Sequence, residues 1–287
     1  MGSVPDLDLA DLAAALRHAE ARLDRVDARV LLCHVLRRDA AYLITHPQAP
    51  LTPEERSAFV TLVERRAGGE PVAYLTESRE FFGHRFRVSP AVLIPRPETE
   101  LVVELALERL PAARAARVLD LGTGSGCIAI SIALARPRAT VQAADRSPEA
   151  IGIARENAGA LGAANVRFLV SDWFSALAHA RFDVIVANPP YVAAGDAHLE
   201  QDDLRFEPRL ALEAGVDGLD ALRCVVATAP THLAPAGWLF VEHGYAHAES
   251  VRALLRAAGF DGVFSATDLA GIERVTGGRL TPRGALQ

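Results

Sequence analysis

The spacing of apolar and polar positions along this chain changes character twice. Over the first 75 residues it keeps a helical period. Leu9, Leu12, Ala13 and Leu16 recur at i, i+3, i+4 and i+7, a one-sided stripe. A second helix is expected over residues 27–36. A third follows Thr52-Pro53-Glu54-Glu55, where a capping residue, an N1 proline and first-turn acids mark a start. Its inner face is expected to be Phe59, Leu62 and Val63, and Gly68-Gly69 stops it. These segments predict a small helical bundle over residues 1–75, without catalytic residues of its own and suited to docking a substrate.

From residue 80 the period shortens. Phe81-Phe82-Gly83-His84-Arg85-Phe86-Arg87-Val88 alternates about a glycine, which predicts a β-hairpin, within a linker over residues 76–95. Pro95-Arg96-Pro97-Glu98-Thr99-Glu100 then opens a helix running to Leu110, its acids suited to the positive end of a helix dipole. Arg96 and Glu98 serve either as that punctuation or as the lining of a cofactor mouth. From Arg117 onward strands and helices alternate. Strands are expected at 118–121, 140–144, 166–170, 182–187 and 238–242, with helices at 148–161 and 220–233 among those between them. Such alternation predicts an α/β domain over residues 96–287, built on a doubly wound, mostly parallel sheet. Ligands of such sheets bind beyond the carboxyl ends of the strands, so functional residues should follow each strand directly.

Composition narrows the function classes. A length of 287 residues fits about two domains. The net charge of -6 speaks against a dedicated nucleic-acid binder, because phosphate neutralisation needs a basic face. Cys33, Cys127 and Cys224 are odd in number and form no CxxC pair; they are expected to be buried small hydrophobes. Asp6, Asp8 and Asp11 stand where a signal peptide carries basic residues, and no apolar run reaches the roughly 18 residues that span a bilayer. A soluble cytoplasmic protein without a membrane association is expected. His18, His34, His84, His179, His198, His232 and His243 show no metal-ligand spacing, so no metal site is expected.

Three consecutive strand ends carry groups suited to an adenosine. After the first comes Asp120-Leu121-Gly122-Thr123-Gly124-Ser125-Gly126. Glycines there let a ligand approach the backbone. The loop alone fits a tight turn or a dinucleotide, since Gly124, Gly126 and Ala129 satisfy G-x-G-x-x-A. The run D-x-G-x-G-x-G, however, is typical of S-adenosylmethionine sites. Asp145 ends the second strand and is placed to accept from both ribose hydroxyls. Ser171-Asp172-Trp173 ends the third, offering a polar group to the adenine amine and an indole to its ring face; a core tryptophan is the other possibility.

The fourth strand ends in Ala187-Asn188-Pro189-Pro190-Tyr191. Two prolines stiffen the backbone and carry no N–H. The Asn188 side-chain oxygen and a neighbouring carbonyl can therefore accept both hydrogens of an incoming NH2, with Tyr191 offering a flat face to a planar acceptor group. An amide nitrogen is a poor nucleophile, since its lone pair is delocalised. Neutral acceptors on its hydrogens favour pyramidalisation and aim the lone pair at an activated methyl. No dedicated base is required.

At these residues the chain resembles the release factor glutamine methyltransferases, the PrmC/HemK family. Pro71-Val72-Ala73-Tyr74-Leu75, Glu80-Phe81-Phe82-Gly83 and Val92-Leu93-Ile94-Pro95-Arg96-Pro97-Glu98-Thr99-Glu100 carry the resemblance. So do the glycine loop, Asn188-Pro189-Pro190-Tyr191, Glu207-Pro208-Arg209-Leu210-Ala211-Leu212 and Gly215-Val216-Asp217-Gly218-Leu219. The Asn-Pro-Pro-Tyr motif is shared with adenine-N6 DNA methyltransferases; the arginine–proline segment with the N-terminal bundle is more specific. The resemblance implies a Rossmann-like class I methyltransferase that uses S-adenosylmethionine. Its substrate would be the glutamine of the Gly-Gly-Gln loop of class-1 peptide chain release factors, methylated on N5, with an effect on translation termination. It further implies that Gly122, Gly124, Gly126, Asp145, Trp173 and Asn188 surround the cofactor, and Thr123, Ser125 and Asp172 are expected beside them. Asn188, Pro189, Pro190 and Tyr191 would grip the glutamine. A monomer acting on a protein, with no direct nucleic-acid partner, is expected. Two departures stand out: the family often has Gly where Glu77 stands and Gln near His247.

Two other functions compete. A nucleic-acid amino-methyltransferase uses the same acceptor motif on an exocyclic base amine, but would need to flip the base and grip phosphates. No basic, aromatic-interleaved segment of sufficient size is present. A non-catalytic module that kept only the cofactor fold is disfavoured by the intact Asn188 and Tyr191.

Overall fold

The computed structural model describes residues 9–177, 180–200 and 202–281, and these form two compact units, Met1–Ser78 and Arg79–Gln287. His179, Asp6 and Asp8 lie outside the described residues.

The first unit is helical: α1 (Leu12–Glu20), α2 (Arg25–Leu36), α3 (Ala40–Thr45), α4 (Pro53–Ala67) and α5 (Val72–Leu75). Its helices start where side chains satisfy the first free N–H groups. Asp11 Oδ1 accepts from the Ala14 N–H at 2.7 Å. Thr52 and Glu55 form a reciprocal capping box on α4. Leu12, Leu31, Leu32, Phe59 and Val63 meet in one core. Leu62 is only half-buried, and Val60 takes the inner place expected for it. Glu77 adopts a left-handed φ of 51°, a conformation that favours glycine.

The second unit opens with a hairpin, β1 (Ser78–Phe81) and β2 (His84–Arg87). Phe81 and Phe86 are buried in this unit's core and meet edge to face, centroids 6.1 Å apart. A short 3-10 turn, Pro97–Thr99, leads into α6 (Glu100–Arg109). Then come β3 (Arg117–Leu121), α7 (Cys127–Ala135), β4 (Thr140–Asp145), α8 (Pro148–Leu161), β5 (Val166–Val170) and β6 (Phe182–Ala187). The chain ends with α9 (Asp220–His232), β7 (Leu233–Glu242), α10 (Ala248–Ala257), β8 (Phe260–Thr267) and β9 (Glu273–Leu280).

Seven strands form one sheet in the order β5-β4-β3-β6-β7-β9-β8, parallel except that β9 runs against both its neighbours. The expected doubly wound sheet is thus present, with an antiparallel pair at one edge that the sequence pattern did not reveal. Successive strand residues serve opposite layers, as the pleat requires. Val118, Val184 and Val186 join the core beneath α6 and α7, and Leu119, Ile185 and Ala187 the core beneath α9 and α10. The helix α7, CIAISIALA, is buried almost all round, which explains why no polar stripe betrays it. Cys224 departs from the burial expected of the cysteines: it is exposed on α9, whereas Cys127 is buried. Among the described residues no helix is long and apolar enough to cross a membrane.

Candidate functional site

The chain order of the sheet reverses at β3. From there it proceeds outward through β4 and β5, then returns to β6 on the other side. A crevice opens at the carboxyl ends of such neighbours. A cavity of about 630 Å³ lies there, lined among others by Gly122, Thr123, Gly124, Ser125, Asp145 and Asn188.

Each wall is set by local chemistry. Gly122 and Gly124 hold φ values of 70° and 53°, so the loop after β3 turns without presenting side chains. Gly124 donates its N–H to Asp145 Oδ2 at 2.9 Å, and Ser147 donates to Asp145 Oδ1 at 2.9 Å. The Asp145 carboxylate is thereby pinned at the cavity wall with lone pairs to spare. Burial raises its pKa, against which these backbone donors act. Beneath the loop Asp120 is fully buried, accepting from the Thr123 hydroxyl at 2.6 Å and the Ala129 N–H at 3.2 Å. Burial pushes its carboxyl up to about 7, and among the described residues Oδ1 has no hydrogen-bond partner. After β5, Trp173 takes a left-handed φ of 47°, a rare conformation for a large residue. The Ser171 hydroxyl, donating to the Trp173 carbonyl at 2.8 Å, braces it.

Of the residues expected at the site, Gly122, Thr123, Gly124, Ser125, Asp145, Asp172, Trp173, Asn188 and Pro190 line the cavity. Gly126, Pro189 and Tyr191 are not part of its lining. A Cβ on Gly126 would come within 2.9 Å of Ile130 Cδ1 and 3.1 Å of Ala154 Cβ, so this glycine serves the contact of α7 with α8. Pro189 is buried. Tyr191 packs against the α9 side of the core and donates its hydroxyl to Glu242 Oε1 at 3.2 Å.

Sequence patterns alone missed two residues behind the acceptor motif. Thr99 Oγ1 accepts from Asn188 Nδ2 at 3.1 Å, and Glu242, at the end of β7, accepts from Tyr191. Glu242 is 1% exposed, and burial pushes its carboxyl up to about 7 while the Thr99 and Tyr191 hydroxyls pull it down. Among the described residues Glu242 Oε2 has no hydrogen-bond partner, although the Thr99 hydroxyl stands near enough to favour the charged form. Both residues sit at element ends, the signal that could have found them.

The segment after Tyr191 is also braced. Val192 exchanges backbone hydrogen bonds with Leu212 and Ala214, and Ala194 donates to Gly215 at 2.7 Å. A Cβ on Gly218, whose φ is 74°, would lie 2.4 Å from the Tyr191 carbonyl oxygen. Arg96 and Glu98 are absent from the cavity lining. Arg96 instead pairs with Glu207, a buried acid that also accepts from the Ile94 N–H at 3.0 Å. The arginine–proline segment and Glu207-Pro208-Arg209 are thus tied together.

Comparison with known proteins agrees with this geometry. The Methyltransferase small domain family model matches residues 98–203, and the PrmC N-terminal domain model matches residues 9–76. A release factor glutamine methyltransferase from Bordetella pertussis is 53% identical over 263 residues, 91% of this chain and 97% of that protein. One from Salmonella typhimurium is 47% identical over 258 residues, 90% of this chain and 93% of that protein. Among solved structures, a methyltransferase from Pyrococcus furiosus superposes with a TM-score of 0.54 at 17% identity, covering 76% of this chain and 97% of that one. The 16S rRNA N2 G1207 methyltransferase of T. thermophilus gives 0.54 at 24%, covering 71% of this chain and 49% of that one. At these identities the two structures speak for the fold alone. The sequence relatives decide the family: this chain belongs to the release factor glutamine methyltransferases.

Proposed function

We propose that this protein transfers the methyl group of S-adenosylmethionine to N5 of the glutamine in the Gly-Gly-Gln loop of class-1 peptide chain release factors. The observation that carries this reading is the meeting of Asn188 with the glycine loop at one cavity, within a chain of this family. The cavity lies inside the ~300–1,000 Å³ usual for small-molecule sites. The loop leaves room for a ligand against its backbone, because a Cβ on Gly124 would meet nothing within 4 Å. Asp145, held by two backbone donors, suits ribose hydroxyls, and Trp173 and Asp172 suit the adenine. The cofactor supplies an already activated methyl.

The chain's own residues then hold the acceptor. Asn188 Oδ1 and the Pro189 carbonyl accept the two N–H groups of the glutamine, and the proline-stiffened backbone keeps them fixed. Holding reactants in a near-attack pose is worth roughly 7–11 kcal/mol. These two acceptors would keep the nitrogen's lone pair aimed at the methyl, and the nitrogen would release its proton to solvent or a neighbouring carbonyl. Tyr191 lies beside this clamp, where its hydroxyl anchors the loop on Glu242. The helical unit is a docking module for the release factor, the hairpin region links it to the catalytic domain, and the enzyme works as a cytoplasmic monomer.

Transfer of labelled methyl into a cell extract, with the acceptor identified by mass spectrometry, tests the substrate. Label on a release factor glutamine supports the reading; label in DNA or RNA would select the base-amine alternative.

A further inference from the structure

A carboxamide has two ends of nearly equal size, and only its oxygen can receive an incoming N–H. The clamp works in one orientation of Asn188. In the structure Asn188 Nδ2 donates to Thr99 Oγ1 at 3.1 Å, which turns Oδ1 away from Thr99. A hydroxyl alone cannot enforce this, because it donates as readily as it accepts. Thr99, however, is 2% exposed and stands beside Glu242. An ionised carboxylate only accepts. Tyr191 already donates to Glu242 Oε1, while the buried Oε2 is left without a partner among the described residues. A Thr99 hydroxyl turned to that oxygen has lone pairs alone to offer Asn188, and the NH2 end then faces it.

We infer that Thr99 and Glu242 are positioning residues that set the polarity of the Asn188 clamp, keeping its carboxamide oxygen free for the acceptor nitrogen. The inference rests on the glutamine-transfer reading above. Neither residue touches substrate; both act through Asn188 and Tyr191.

The arrangement carries a pH dependence. A protonated Glu242 becomes a donor, which frees Thr99 to donate to Asn188 Oδ1 and removes the preference. The charged groups acting on Glu242 are Glu98, which favours the protonated form, and Arg274, which opposes it. Its chain neighbour His243 is engaged with Thr276 Oγ1 at 2.8 Å and the Gly244 carbonyl at 3.1 Å, and burial lowers its pKa. Arg96 acts on Tyr191 from the opposite segment. With Glu242 poised at about 7, turnover falls as pH drops through neutrality.

The test compares wild type, Thr99→Val, Thr99→Ser and Glu242→Gln on purified release factor, with kcat, KM, cofactor Kd by calorimetry and a pH–rate profile. Thr99→Val and Glu242→Gln are expected to lower kcat on the order of ten-fold or more, the equivalent of a hydrogen bond to a charged group, with cofactor Kd unchanged. Thr99→Ser recovers most of the loss, and the acidic limb of wild type is absent from Glu242→Gln. The Asn188 side-chain NH2, followed by NMR, is protected from exchange in wild type and unprotected in Thr99→Val. Should Thr99→Val fail to fold, the isosteric Glu242→Gln decides by the same kcat and pH limb. An active wild type with undiminished kcat in the folded variants overturns the inference alone. A wild type that leaves the release factor glutamine unmethylated overturns the parent reading and this one together.

Discussion

Leu121 at the end of β3 lies opposite Ala187 at the end of β6 in the parallel register, so Gly122 and Asn188 leave the sheet side by side. A Cβ on Gly122 would lie 3.9 Å from the Asn188 carbonyl oxygen and 3.8 Å from Trp173. One strand pairing therefore brings the glycine loop and the Asn188 turn to the same point. For an already activated methyl donor alignment is the chief requirement, and on the proposed reading this register would supply it.

Replacing Asn188 with alanine removes an acceptor from the clamp while leaving the glycine loop and Asp145 in place. Turnover should fall roughly 10²–10³-fold, by analogy with the loss of one fixed hydrogen-bonding group from a transition-state site. Calorimetry should show cofactor affinity changed little. Near-wild-type methylation by this variant would remove Asn188 from the mechanism.

Asp145→Ala should act on affinity instead. Each charge-assisted hydrogen bond to a ribose hydroxyl is worth roughly 1.5–3 kcal/mol, so the cofactor Kd should rise by ten-fold or more. Part of that rise reflects the freed Gly124 and Ser147 N–H groups, now without their acceptor. Asp145→Asn keeps an acceptor for only one of them and turns an NH2 toward the other, so it should recover only part of the loss. An unchanged Kd in the alanine variant contradicts the ribose role.

Gly218→Ala tests the brace behind the acceptor loop. The new methyl would sit 2.4 Å from the Tyr191 carbonyl oxygen at a φ of 74°. Relief requires the loop to shift, at a cost of about 1–3 kcal/mol. Urea unfolding should show that loss, with turnover falling further than cofactor binding. Full turnover would show that the Tyr191 segment tolerates displacement.

Much of this architecture was legible in the sequence because local signals agreed. The strands over residues 166–170 and 182–187 and the helix over 148–161 have the bounds expected of them, since turn residues and apolar runs mark both their ends. The edge pair β8 and β9 was not legible. Gly277 and Gly278 lie inside β9, and Phe240 of the next strand crosses Gly277, where a Cβ would come within 2.5 Å of its ring. The Thr99–Asn188 contact spans 89 positions along the chain, and no local pattern encodes such a pair. Cys224 was misjudged since α9 turns it outward to the cavity.

Asp120 predicts a pH signature in stability. Its folded-state pKa is raised by burial to about 7 from the ordinary 3.8, so between those values the native state holds a proton that the unfolded chain has lost. Stability from this group is complete below pH 4 and falls as pH rises toward 7, by roughly 4 kcal/mol in all. Asp120→Asn keeps an acceptor for Thr123 and Ala129 without titrating. The melting temperature of wild type relative to this variant should therefore decline from pH 5 to pH 8. A constant difference would mean that Asp120 is ionised throughout.

Whether Asn188 presents a glutamine nitrogen to the methyl donor is decided by a crystal structure with S-adenosylhomocysteine and a release factor bound. The account predicts the glutamine side chain in the cavity, its nitrogen donating to Asn188 Oδ1 and the Pro189 carbonyl and facing the sulfur. A glutamine bound elsewhere, or an Asn188 whose NH2 end faces it, would contradict the account.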